Sequence, residues 1–225
     1  NVNTTNQVSV LADENNVFGE GASNTFLRYL DASTGNNPRL IGPADLTAAT
    51  AFEFSFDVHR PVSELGPMDA RIGLSGSDAA GGSKSVDFEF RGNDFILRGN
   101  GDSPITYGQG QTFSLRAIGN YGAAPIIYND GNDWVAPGHF DVWMGGVRIL
   151  NDLVMANGRV ATTHLSLIGT NGAQSDIYYD NILVHDTVET FSYQGQALLT
   201  LEVNTTTGQM AIRNTHNLGF ELDLD

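Results

Sequence analysis

The sequence has no cysteine and a single lysine, Lys84. The first absence removes disulfide frameworks and thiolate chemistry, without fixing a compartment. The second leaves arginine as almost the whole basic complement. Eleven Lys and Arg residues stand against 26 Asp and Glu, for a formal charge of −15. A field of that sign disfavours nucleic acid and anionic membrane as partners. No run reaches the ~18 consecutive apolar residues that a spanning helix needs, so no membrane span is expected. The sequence opens at Asn1, without a Met or a leader-like stretch. That opening reads as a mature or excised product, and the acidic balance predicts an extracellular or cell-surface setting.

What the sequence does contain is alternation. In "TAFEFSFDVHR", Phe52, Phe54, Phe56 and Val58 share one side while Glu53, Ser55, Asp57 and His59 share the other. The stretches "DARIGLSG", "SVDFEFRG", "NDFILRG", "TFSLRAIG", "HFDVWMGG", "THLSLIG" and "SDIYYDNILVHD" repeat the period of two. Turn-forming clusters such as "SGSDAAGGS" and "YNDGNDW" separate them, and helical spacing is scarce. About a dozen short strands without intervening helices predict an all-β protein of two antiparallel sheets packed face to face.

Extra strand-like segments flank this body. Residues 1–16 read as an extended N-terminal segment, 17–190 as the sandwich, and 191–225 as a C-terminal hairpin or the start of a small β-module. The phrase "VNTT" occurs near both ends and places Asn3 and Asn204 in Asn-X-Thr patterns, candidate glycosylation sites.

Across residues 17–186 the order of segments resembles the concanavalin A-like (laminin G-like) jelly-roll domains of secreted bacterial surface proteins. The resemblance is carried by the Gly-rich opening before "TFLRYLD", by "FEFSFDV", by "FDVWMGGVRI" and by the closing "IYYDNILV". It implies a jelly-roll sandwich, a fold that hosts lectins, glycanases, lyases and structural modules alike. It also implies a structural Ca²⁺, with Asp180 as the best-placed ligand and Asp13 or Glu20 as partners.

The same resemblance bears on "SVDFEFRG". Laminarinase-type glucanases of this fold carry Glu-X-Asp-X-Glu on one strand, which aligns Asp87 and Glu89 with the second and third acids. Ser85 then occupies the nucleophile position, where serine cannot serve. Arg91 shares the face of Asp87 and Glu89, and alternation adds Arg71, Arg98 and Arg116, so the expected picture is an arginine–carboxylate lattice on a solvated sheet. Lyase chemistry through His59, His164 and Tyr178 lacks the supporting motifs of jelly-roll lyases, and the five histidines show no metal-ligand spacing. No enzyme is expected.

Binding residues come from the long irregular stretch 120–138 and its neighbour strand. Tyr121, Tyr128, Trp134 and Trp143 offer aromatic faces for sugar rings among amides and carboxylates. Two function classes follow. The leading expectation is a non-catalytic subunit of a surface layer or filament, with terminal strands pairing head-to-tail between copies. The alternative is a carbohydrate-binding, lectin-like module with polysaccharide as partner, and a polysaccharide lyase or hydrolase comes third.

Overall fold

A computed structural model describes residues 6–32, 39–44, 46, 49–62, 69–76, 84–91, 94–97, 105–106, 109–156, 162–169, 174–188, 199–203, 210–214 and 221–222. In chain order the strands are β1 (Asn6–Ala12), β2 (Thr25–Asp31), β3 (Arg39–Pro43), β4 (Ala51–His59), β5 (Asp69–Ser75) and β6 (Lys84–Arg91). Next come β7 (Asp94–Leu97), β8 (Ile105–Thr106), β9 (Thr112–Asn120), β10 (Ile126–Tyr128) and β11 (Asp133–Val135). The body closes with β12 (His139–Met144), β13 (Val147–Val154), β14 (His164–Gly169) and β15 (Ser175–His185). Three short strands follow, β16 (Leu199–Val203), β17 (Met210–Asn214) and β18 (Glu221–Leu222).

The chain divides into two compact units, Asn1–Thr190 and Phe191–Asp225. The first is a jelly-roll sandwich. One sheet runs β1-β2-β15-β4-β9-β12-β13 and the other β3-β14-β5-β6-β7-β8, with every pair antiparallel. The second unit is a three-stranded sheet, β16-β17-β18.

Alternation sets the core as expected. Phe52, Phe54, Phe56 and Val58 from β4 meet Val86, Phe88 and Phe90 from β6, all buried. The rings of Phe56 and Phe88 lie 5.4 Å apart at 75°, and Phe54 and Phe88 at 6.2 Å. Edge-on packing of this kind contributes about 0.5–1.5 kcal/mol per pair beyond area burial. Between β12 and β13, Gly145 and Gly146 take φ of 55° and 81°, the two left-handed positions of a tight hairpin turn.

Strand pairing at the termini corrects one expectation. All seven residues of β1 pair with β2 of the same chain, from Asn6 opposite Asp31 to Ala12 opposite Thr25. The C-terminal strands pair with one another. The terminal strands therefore find partners within their own chain, and the expected head-to-tail exchange between copies has no basis in this arrangement. Asn3 and Asn204 lie outside the described residues.

Candidate functional site

The outer face of the seven-stranded sheet carries the side chains that alternate away from the core. Register aligns them in rows across the strands. Tyr178, His59 and Thr112 form one row, Asp180, Asp57 and Ser114 the next. Leu183, Ser55, Arg116, Trp143 and Arg148 form the third, and Glu53, Ile118 and Asp141 the fourth.

One end of this face is covered by residues 13–24. The buried carboxylate of Asp13 accepts bonds from the amides of Val17 (2.8 Å) and Phe18 (3.0 Å), folding the segment back on itself. Phe18 then reaches Phe26 (5.7 Å) and the edge of His59 (6.3 Å), and Tyr178 stacks on His59 at 5.7 Å. Thr112 donates its single proton to the Val17 carbonyl at 2.7 Å. His59 Nδ1, 2.8 Å from the same hydroxyl oxygen, must therefore carry a hydrogen and donate it. Burial lowers the His59 pKa, with Asp13 opposing.

The other end is covered by the β10–β11 hairpin. Tyr128 and Val135 bury Ile118, with Ile126, Trp143 and Val188 around them. The Tyr128 hydroxyl donates to Asp141, and Trp143 Nε1 donates to that hydroxyl at 3.3 Å. Arg148 pairs with Asp133, lies 3.4 Å from Asp141, and sits 5.7 Å over the Trp143 ring. Burial, then Asp141, pushes the Tyr128 hydroxyl well above its usual range.

Between the two covers the face reaches solvent at Ser114, which is exposed, and at the partly buried Ser55, Asp57 and Arg116. Its floor is Asp57, Ser114, Ser55 and Arg116, with Trp143 at the hairpin border. Ser114 donates to one oxygen of Asp57, and Asn181 Nδ2 donates to the other at 2.8 Å. The same Asn181 amide reaches Glu20 Oε1 at 2.6 Å. Asp180 accepts from Asn24 Nδ2 at 2.5 Å and from the backbone N–H of Asn181 at 2.8 Å. Asn181 holds these groups from a left-handed backbone position (φ 48°) at the irregularity in the β15–β4 register. A bulge of this kind re-aims one side chain out of the regular ladder. Arg116 is fixed by Glu53 through two bonds, Nε to Oε1 at 2.6 Å and Nη2 to Oε2 at 2.8 Å. The result is a narrow strip of hydroxyl, carboxylate, amide and guanidinium groups held in place by one another and bordered by an indole.

The predicted aromatic residues do not form one platform. Trp143 borders the strip, and Tyr128 meets it at 6.3 Å but is buried beneath the hairpin. Tyr121 packs on Phe52 at 4.9 Å with its hydroxyl against Thr162. Trp134 is 53% exposed beside Ile127, on the hairpin surface turned away from the sheet. Of the predicted calcium ligands, Asp180 and Glu20 converge on Asn181, whereas Asp13 is committed to its own loop. Among the described residues no group of three or more His, Asp or Glu side chains is arranged to hold a metal ion. Asn181 and Ser114 were not singled out in the sequence; the bulge that aims Asn181 leaves only the phrase "YYDN" as its trace.

On the six-stranded sheet the acidic strand differs from its expected setting. Asp87 and Glu89 do alternate away from Phe88, but they are buried, Glu89 at 0% exposure. Glu89 is flanked by Arg91 and by Arg71, whose Nε lies 3.3 Å away. Lys84 Nζ is 3.0 Å from Asp87, yet burial still raises the Asp87 pKa. The lattice is present with its carboxylates buried, while Arg91 still reaches solvent. Ser85, beside the bulge in β6, faces Thr162 at 3.2 Å instead of lining up with the acids.

No protein-family model matches this sequence, and no curated protein matches it either. Solved structures do. A glycoside hydrolase family 131 catalytic domain from Coprinopsis cinerea aligns with TM-score 0.52 at 10% identity, over 80% of this chain and 78% of that one. A family 131 β-glucanase catalytic domain from Podospora anserina gives 0.51 at 11%, over 84% and 82%. A carbohydrate esterase from the Shiga toxin-encoding bacteriophage phi24B gives 0.50 at 11%, over 80% and 87%. At these identities the likeness shows the jelly-roll fold. These neighbours are carbohydrate-active proteins and none is a filament subunit, so with the in-chain pairing of β1 the filament expectation is corrected.

Proposed function

We propose that the protein is a carbohydrate-binding module whose ligand lies on the open strip of the seven-stranded sheet. The observation that carries this reading is the pre-bonded set Asp57–Ser114–Asn181–Glu20 beside Arg116 and Trp143. Hydroxyl-rich ligands need donors and acceptors at fixed spacing with one apolar face, and pre-organised side chains lose little entropy on binding. The strip offers this; the buried, ion-paired Asp87 and Glu89 offer a ligand nothing comparable. The indole of Trp134 points elsewhere and lies outside the binding machinery on this reading.

Titration calorimetry against a panel of oligosaccharides tests it. Asp57→Asn exchanges an acceptor for a donor at the centre of the strip and is expected to weaken binding about tenfold, the scale of one charge-assisted hydrogen bond. Trp134→Ala is expected to leave affinity unchanged. Loss of binding with Trp134→Ala but not with Asp57→Asn would move the site to the hairpin and end this reading.

A further inference from the structure

The three arginines described on the outer face all arrive neutralised. Arg28 meets Asp176 through two bonds of 2.9 and 2.7 Å, and Arg148 meets Asp133 and Asp141. Arg116, the one on the strip floor, is gripped by Glu53 through its Nε and Nη2. That edge is one of the two through which a guanidinium forks onto a carboxylate or sulfate, and here Glu53 holds it. Both partners are nearly out of solvent, with side-chain exposures of 13% and 10%. An anionic sugar would either displace that carboxylate, leaving it without its cation at low exposure, or meet a guanidinium whose charge Glu53 already neutralises. The rest of the strip adds repulsion. The partners of Asp57, Asp180 and Glu20 described above are uncharged hydroxyl and amide groups. The whole chain carries −15.

We propose that Glu53 is a specificity-determining residue: by occupying Arg116 it closes the strip to uronate and sulfated glycans, so that the site selects neutral sugars. This rests on the carbohydrate-binding reading and goes beyond it by naming the ligand's charge class and the residue that sets it. Glu53 does not touch the sugar; it acts through the guanidinium it holds.

The test compares hexasaccharides of glucose, mannose and galactose with those of the corresponding uronic acids, by calorimetry at low ionic strength. The neutral sugar that binds is expected to bind at least about tenfold more tightly than its uronate counterpart. Glu53→Gln keeps the shape of the side chain and frees the guanidinium charge. It is expected to raise uronate affinity relative to neutral affinity by about tenfold. Uronates bound by the wild type as tightly as neutral sugars overturn the inference and leave the carbohydrate reading standing. An unchanged ratio in folded Glu53→Gln overturns the role of Glu53. If that variant does not fold, Glu53→Asp, whose shorter side chain loosens the two-bond hold on Arg116, is put to the same test, and an unchanged ratio there likewise overturns the role of Glu53. Binding of no sugar of either charge ends the carbohydrate reading, and this inference with it.

Discussion

The ring of Phe52 occupies the space that any side chain at Gly119 would need. The two are register partners on β4 and β9, and a Cβ on Gly119 would come within 2.0 Å of Phe52 Cε1. Phe52 is fully buried and backed by Tyr121, so its ring has little room to retreat. Gly119→Ala is expected to destabilise the sandwich by about 2 kcal/mol or more through overpacking. Chemical denaturation with a tryptophan-fluorescence readout measures it. A midpoint equal to wild type would mean the ring moves freely.

Lys84 and Asp87 form a buried pair whose members depend on each other. Lys84→Met removes the cation and leaves the carboxyl among buried groups. The expected cost is about 2–3 kcal/mol, at the low end for a broken buried pair because the carboxyl can take up a proton. Adding Asp87→Asn to the same protein should recover most of that loss. A double variant no more stable than Lys84→Met alone would contradict this coupling.

His59 predicts the response to acid. Its pKa is lowered from 6.5 by burial, so between the folded value and 6.5 the unfolded chain binds more protons than the folded one. Its stabilising contribution is complete above 6.5 and is lost as pH falls through the folded value. Thermal unfolding from about pH 8 down to about pH 5 should show a steeper fall for the wild type than for His59→Phe, which keeps a ring but cannot titrate. Parallel curves would remove His59 from the account.

Binding without cleavage predicts that no new reducing or unsaturated ends appear when the protein is incubated with the sugars it binds. In the alignment to the laminarinase-type pattern, the three acids fall on a serine facing Thr162 and on two acids engaged by Lys84, Arg71 and Arg91. A release of ends that disappears in Asp87→Asn would make the buried pair catalytic. Its raised pKa would then be that of a general acid.

The sheets were legible because side-chain period two is written directly in "TAFEFSFDVHR" and "SVDFEFRG". What alternation cannot give is what lies over a face. Asp87 and Glu89 were placed on the correct side of their strand, yet burial there depends on neighbours distant in sequence. Alternation in "HFDVWMGG" sets Trp143 on the side of its strand opposite Val142, as found, but the hairpin that covers that side and leaves Trp134 outward has no local signal. Asn181 was missed because a bulge breaks the very period used to assign faces. The direction of β1 pairing, within the chain or between chains, is equally absent from a local pattern.

The two covers described above give the window a shape. Along the strands it is open for only two rows, about 7 Å, since residues two apart are that far from each other. Across the strands it runs from β15 to β12, three steps of about 4.8 Å each. A thread-like polymer would therefore cross the ribbons as a rung crosses its rails, touching a few monomers while its remaining length trails past either edge. Affinity should then plateau once an oligomer spans that crossing, and mid-chain segments should serve as well as chain ends.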